Sequence, residues 1–95
     1  MNRLLMESKK FDLAHEQFQK IEQQMPNDPD VLYTLGILSI ELRQLPDARD
    51  YLQRLIDGGE ESRLGDASYF IGRTYEIDGQ QDEAISWYEQ VADGV

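Results

Sequence analysis

The chain has no cysteine among its 95 residues, which excludes disulfides, thiolate metal sites and thiol nucleophiles and leaves the redox compartment unmarked. Histidine occurs once, at position 15, and tryptophan once, at position 87. Nothing around His15 has the spacing of a metal site, a phosphate loop or a nucleophile elbow, so it reads as a packed or solvated side chain. Basic residues are scarce: nine Lys and Arg stand against nineteen Asp and Glu, a formal charge of −10. A field of that sign repels phosphate backbones, which argues against a nucleic-acid partner. Long apolar runs are missing too; crossing a bilayer takes about 20 such residues. The opening "MNRLLMESKK" turns polar almost at once and carries no leader pattern.

What is present is mostly helix-forming and scattered in charge. The acids Asp28, Asp30, Asp47, Asp50, Asp57, Glu60 and Glu61 do not form a tail, as expected of solvated helix faces. Glu60/Glu61 and Asp82/Glu83 are adjacent in sequence rather than spaced as an acid–base pair. Asp82/Glu83 suits a helix start, where acids meet the dipole. "DGQQDE" (78–83) lacks the alternating oxygens and the frame of about twelve residues that a calcium loop needs, and a helix–turn–helix corner accounts for it. No enzyme class, cofactor or metal is indicated.

A glycine, Gly72, interrupts an otherwise helical stretch, "YFIGRTYEIDGQQDEAISWYEQV" (69–91). Mid-helix glycine costs about 1 kcal/mol relative to alanine, so the missing side chain must serve packing or a ligand. Self-similarity decides between them. "LYTLGILSIELRQLPDARDYLQRLIDG" (32–58) aligns without a gap on "SYFIGRTYEIDGQQDEAISWYEQVADG" (68–94), an offset of 36. Tyr33 meets Tyr69, Gly36 meets Gly72, Ala48 meets Ala84, and Gly58 meets Gly94. Upstream, "FDLAHEQFQKIEQQMPNDP" (11–29) aligns with the second half of each unit at an offset of 34, with Ala14 on Ala48 and Phe18 on Leu52. A glycine that recurs with the architecture is a packing residue.

Each unit reads as two antiparallel helices. Asp28-Pro29 supplies a capping acid and a proline suited to the first helical position. Leu45-Pro46-Asp47 ends one helix and starts the next, and Gly58-Gly59 stops that one. In the last unit the helices are expected over about 62–78 and 82–92, with Gly79 between them and Ala84, Ile85, Tyr88 and Val91 turned inward. Gly36 with Ala48, and Gly72 with Ala84, would let facing helices approach closely. The expected fold is all-α, one domain of three units at about 1–27, 28–61 and 62–95, the first truncated.

These residues resemble the tetratricopeptide repeat. The carriers are Leu35-Gly36 and Ile71-Gly72, the aromatic Tyr75, the turn glycine Gly79, Ala48 and Ala84 twelve residues after the helix glycine, and the bulky Leu52 and Tyr88 four further on. Departures are Leu32 and Ser68 where tryptophan is usual, Ser39 for an aromatic, and Ile21, Leu55 and Val91 for a small residue. The extra two residues around "GGEESRLGD" imply a longer loop or a helix extension. The closing Val91-x-x-Gly94 is similar to a variant in large bacterial scaffolds, among them outer-membrane lipoproteins that serve a carboxyl-terminal processing protease. That narrower likeness implies a periplasmic protein, against a cytoplasmic default.

The resemblance implies a right-handed superhelix, an α-solenoid, whose concave groove takes a peptide or protein segment without catalysis. It places Tyr33, Ile37, Ile40 and Glu41 in the groove from the middle unit, and Tyr69, Phe70, Arg73, Glu76 and Ile77 from the last. Arg3, Met6 and Glu7 would come from the first. Groove positions that hold a terminal carboxylate in chaperone-binding members carry Tyr33, Thr34, Ile37, Asp66 and Phe70 here, with no basic ring, which argues against such tails. Solenoids need polar caps, so Ile85, Trp87 and Tyr88 on the last helix form a second candidate surface. That surface would take a further repeat of a longer array or another copy, giving a homo-oligomer.

Overall fold

Asp28 and Pro29 act as their sequence requires. The Asp28 carboxylate accepts hydrogen bonds from the backbone N–H groups of Asp30 (3.0 Å) and Val31 (3.2 Å), and Pro29 opens the helix behind it. The structure, a computed structural model, describes the backbone over residues 2–59 and 61–92, and side chains over 9–59 and 62–91. The described residues form five helices, α1 (Asn2–Gln24), α2 (Pro29–Glu41), α3 (Leu45–Asp57), α4 (Glu61–Ile77) and α5 (Gln81–Ala92). No strand occurs among the described residues.

The corners repeat like the helices. Arg43 and Gly79, 36 positions apart, both adopt the left-handed conformation, with φ of 60° and 81°. At each corner the next amide reaches back five residues, Gln44 N to Ser39 O (2.8 Å) and Gln80 N to Tyr75 O (2.9 Å), closing the helix end. Glycine takes that conformation without strain; Arg43 does not, and its guanidinium donates to the Ile40 carbonyl at 2.8 Å.

The helix glycines are where partner helices touch. A Cβ built on Gly36 would lie 2.7 Å from both Cγ and Cδ2 of Leu52. One on Gly72 would lie 2.7 Å from Cε1 of Tyr88 and 3.2 Å from Cβ of Trp87. Each glycine is thus a hole filled by the bulky residue of the facing helix, with Ala48 and Ala84 buried one turn earlier. The core runs through both pairs: Leu32, Leu52, Leu55, Ala67 and Ile71 are buried together, and Tyr51, Phe70, Tyr75 and Trp87 pack on its border.

Two expectations are corrected. The first unit does not form a helix pair; α1 is one uninterrupted helix of 23 residues, because "ESKKFDLAHE" contains neither glycine nor proline to break it. Of the two alternatives for the junction insert, loop or helix extension, the second holds: α4 has 17 residues against 13 in α2, and the added turn carries Arg63. Ile85 points outward and is 51% exposed, because Ala84 and Tyr88 define the inner face of α5. Trp87 is half-buried against the core border. Gly94 and the side chains of Arg3, Met6 and Glu7 lie outside the described residues.

Replacing Gly36 by alanine sets a helix-propensity gain of about 1 kcal/mol against an overpacking cost of about 1–3 kcal/mol. Leu52 is fully buried and cannot yield. We expect net destabilisation, read as a lower urea midpoint with an unchanged slope; a raised midpoint would mean the helices do not meet at this glycine.

Candidate protein-binding surface

Adjacent units are joined by side chains that leave the second helix of one and enter the first helix of the next. In the first junction His15, 7% exposed on α1, pairs through Nε2 with Ser39 Oγ on α2 at 3.1 Å. In the second, Arg49 on α3 stands 34 positions later and grips α4. Its Nε donates to Thr74 Oγ1 at 2.8 Å, and its guanidinium lies 4.0 Å above the Tyr75 ring. An exposed ion pair to Asp78 (3.4 Å) adds little. Arg54 ties α3 back to Glu22 on α1 and to Asn27 in the following turn (3.0 Å). The single histidine is therefore a junction residue, as is Ser39, where an aromatic was expected.

On the other face of α2 and α4 runs a chain of rings. Tyr33 meets Phe70 edge-on at 6.0 Å, Phe70 meets Tyr69 at 5.2 Å, and Tyr69 meets Tyr88 at 5.7 Å. The first two contacts are edge-to-face and the third is tilted at 38°, and edge-to-face geometry at these distances is favourable. Arg63, on the added turn of α4, caps the chain from its N-terminal end: it lies 4.5 Å above Tyr33 and donates to Asp30 at 2.6 Å. Tyr69 is 43% exposed, Arg73 and Glu76 are exposed beside it, and Ile77 follows one turn later at 36%.

Of the nine groove residues expected from the two complete units, the structure brings Tyr33, Tyr69, Phe70, Arg73 and Glu76 to one surface, with Ile77 at its end. Ile37 is half-buried and Glu41 exposed on α2. Ile40 is a correction: it is 4% exposed and belongs to the core, because its position on α2 faces the helices behind. Tyr88, assigned to the far end, instead joins the ring chain, with its hydroxyl donating to Glu76 at 2.7 Å. Arg63 was missed altogether; its one signal was the two-residue insertion that lengthened α4. Two open depressions, about 490 and 270 Å³, lie at the α4–α5 corner and beside Asn27 and Arg54, away from the rings. Among the described residues no cluster of His, Asp or Glu could hold a metal ion, and no helix is long and apolar enough to cross a membrane.

The profile of one family, described as tetratricopeptide repeat, matches residues 5–63. The chain belongs to the tetratricopeptide repeat family. The match covers α1 through the first turn of α4, and the last unit repeats the middle one at 36 residues. No curated protein and no solved structure matches the chain. Tetratricopeptide repeats are in general protein–protein interaction modules, and their usual role is that of a scaffold without catalysis.

The Tyr88 phenol is pushed up to about 12, first by desolvation, then by the hydrogen bond and charge of Glu76; Tyr69 adds to this and Arg73 opposes it. A phenol raised above its ordinary 10.0 contributes stability that is complete below pH 10 and lost as pH climbs through about 12. Tyr88→Phe removes that step. The wild-type unfolding midpoint should fall more steeply than the variant's between pH 10 and 12, and parallel curves would mean that the phenol is neither desolvated nor held by Glu76.

Proposed function

We propose that this chain is a non-enzymatic scaffold that binds a peptide or protein segment along the face of α2 and α4, the concave side of a right-handed superhelix. The observation that carries this reading is the ring chain that holds exposed Tyr69 beside Arg73. Tyr and Arg dominate interface energetics, and rings already held by their neighbours lose little freedom when a ligand covers them. Ile37 and Ile77 extend the surface with apolar contacts, and Glu41 and Glu76 set a charge pattern suited to an extended or helical segment. The acidic field disfavours nucleic acid and favours partners with basic residues.

A second reading, self-association, is favoured by Ile85. It stands 36 positions after the junction residue Arg49 but is half exposed on α5.

Selection from a random peptide library followed by amide shift mapping tests the groove. Enriched peptides should move resonances of Tyr33, Tyr69 and Arg73, and Tyr69→Ala should weaken binding about tenfold or more, consistent with loss of an aromatic anchor. Shifts confined to α1 or α5, or an unaffected Tyr69→Ala variant, would reject the groove.

A further inference from the structure

The chain is electrically lopsided. Along α1, Arg3, Lys9, Lys10 and Lys20 balance Glu7, Asp12, Glu16 and Glu22, so the whole of the −10 charge falls on the rest. All three lysines of the protein lie on α1, and all are exposed. They flank apolar residues that are themselves open to solvent: Leu13 is 61% exposed and Ile21 36%. Lys10, Leu13, Gln17, Lys20 and Ile21 fall at helical spacing on one strip. The α5 helix carries the opposite. Asp82, Ile85 and Glu89, at positions i, i+3 and i+7, are all exposed and form an acidic strip around one large apolar side chain.

The internal junctions show what these strips correspond to. Where α1 meets α3, His15 of α1 faces Tyr51 (6.4 Å between rings), and Glu22 of α1 pairs with Arg54. The counterpart of His15 on α5 is Ile85, through Arg49. Counting back 34 residues, the counterparts of Tyr51 and Arg54 on α1 are Gln17 and Lys20. The outer strip of α5 is thus the leading side of a junction, and the outer strip of α1 is the trailing side of one. The second junction sets a base on its leading side, Arg49, against an acid on its trailing side, Asp78; the first sets an acid on its leading side, Glu22, against a base on its trailing side, Arg54. The two outer strips have the polarity of the first junction, with one exposed apolar side chain, Ile85, on the acidic strip and two, Leu13 and Ile21, on the basic one.

We infer that copies of this chain associate head to tail, the α5 strip of one docking on the α1 strip of the next. This rests on the self-association reading above and adds the two faces and their direction. The contact is heterologous: each copy in a pair keeps one unused strip, so association does not stop at two. The attraction between lysines and acids weakens with salt, since at about 1 M the Debye length is about 3 Å.

Sedimentation or light scattering on the wild type, Leu13→Asp, Ile85→Asp and their equimolar mixture tests the proposal. Both substituted side chains are exposed, so unchanged helical circular dichroism and unfolding midpoints serve as folding controls. The wild-type mass should climb from 11.0 kDa past twice that value with concentration at low salt. Each variant alone should be monomeric. The mixture should form a dimer that grows no further, because the intact α5 of one variant meets the intact α1 of the other. A wild type that stays at 11.0 kDa at millimolar concentration would remove self-association altogether. A wild type that associates, with a mixture that stays monomeric, would keep self-association and overturn the head-to-tail arrangement. Tyr69→Ala should behave as wild type here, so failure of the groove reading leaves this result untouched.

Discussion

The structure depends on two missing methyl groups. At Gly36 and Gly72 the absence of Cβ lets Leu52 and Tyr88 seat against the backbone of the facing helix. That contact sets how near α2 lies to α3 and α4 to α5. Helix-propensity loss at each glycine is small beside the burial it permits, since fully burying one leucine is worth about 1.5–3 kcal/mol. Once each pair is closed, its second helix offers a side chain to the next unit, and the stack can propagate.

The two pairs use the same hole differently. Leu52 is sealed in the core and does nothing but fill it. Tyr88 fills its hole with the ring edge and leaves the hydroxyl free to bond Glu76 and the ring free to meet Tyr69. One substitution at a packing position thereby links the interior of α4 and α5 to the surface on which a partner would lie. The junctions vary in the same manner: a histidine–serine hydrogen bond in the first, an arginine clasping a threonine and a tyrosine in the second. Repeat geometry tolerates this because the backbone spacing is set elsewhere, by the glycines.

Charge acts at a longer range than packing. Three arginines, Arg49, Arg54 and Arg63, are drawn into junctions or onto rings. The lysines stay on α1 in water. Arginine's planar fork bonds and stacks at once, whereas an ammonium is strongly hydrated, so the two cations sort between interior seams and outer face. The acids, having few internal partners, give the remainder of the surface its sign.

Much of this was legible in the sequence. The 36-residue repetition gave both complete pairs, and Asp28-Pro29, Gly58-Gly59 and Gly79 marked helix ends within a residue or so, because caps and turns are local chemistry. The face of Tyr33, Tyr69, Phe70 and Arg73 was implied by the resemblance to the tetratricopeptide repeat, since periodicity alone does not say which face is the groove. What the sequence could not decide was direction and partner. Helical spacing left Ile40 and Ile85 ambiguous, and only packing turned one into the core and the other into water. Whether residues 1–27 bend into a pair or run straight hinges on a competition between local propensity and long-range burial, and no breaker was present to force a corner. Arg63 and Tyr88 owe their roles to residues 33 and 12 positions away, Asp30 and Glu76. Local order is written in neighbours along the chain, but which side of a helix is inside depends on what the rest of the chain brings to it.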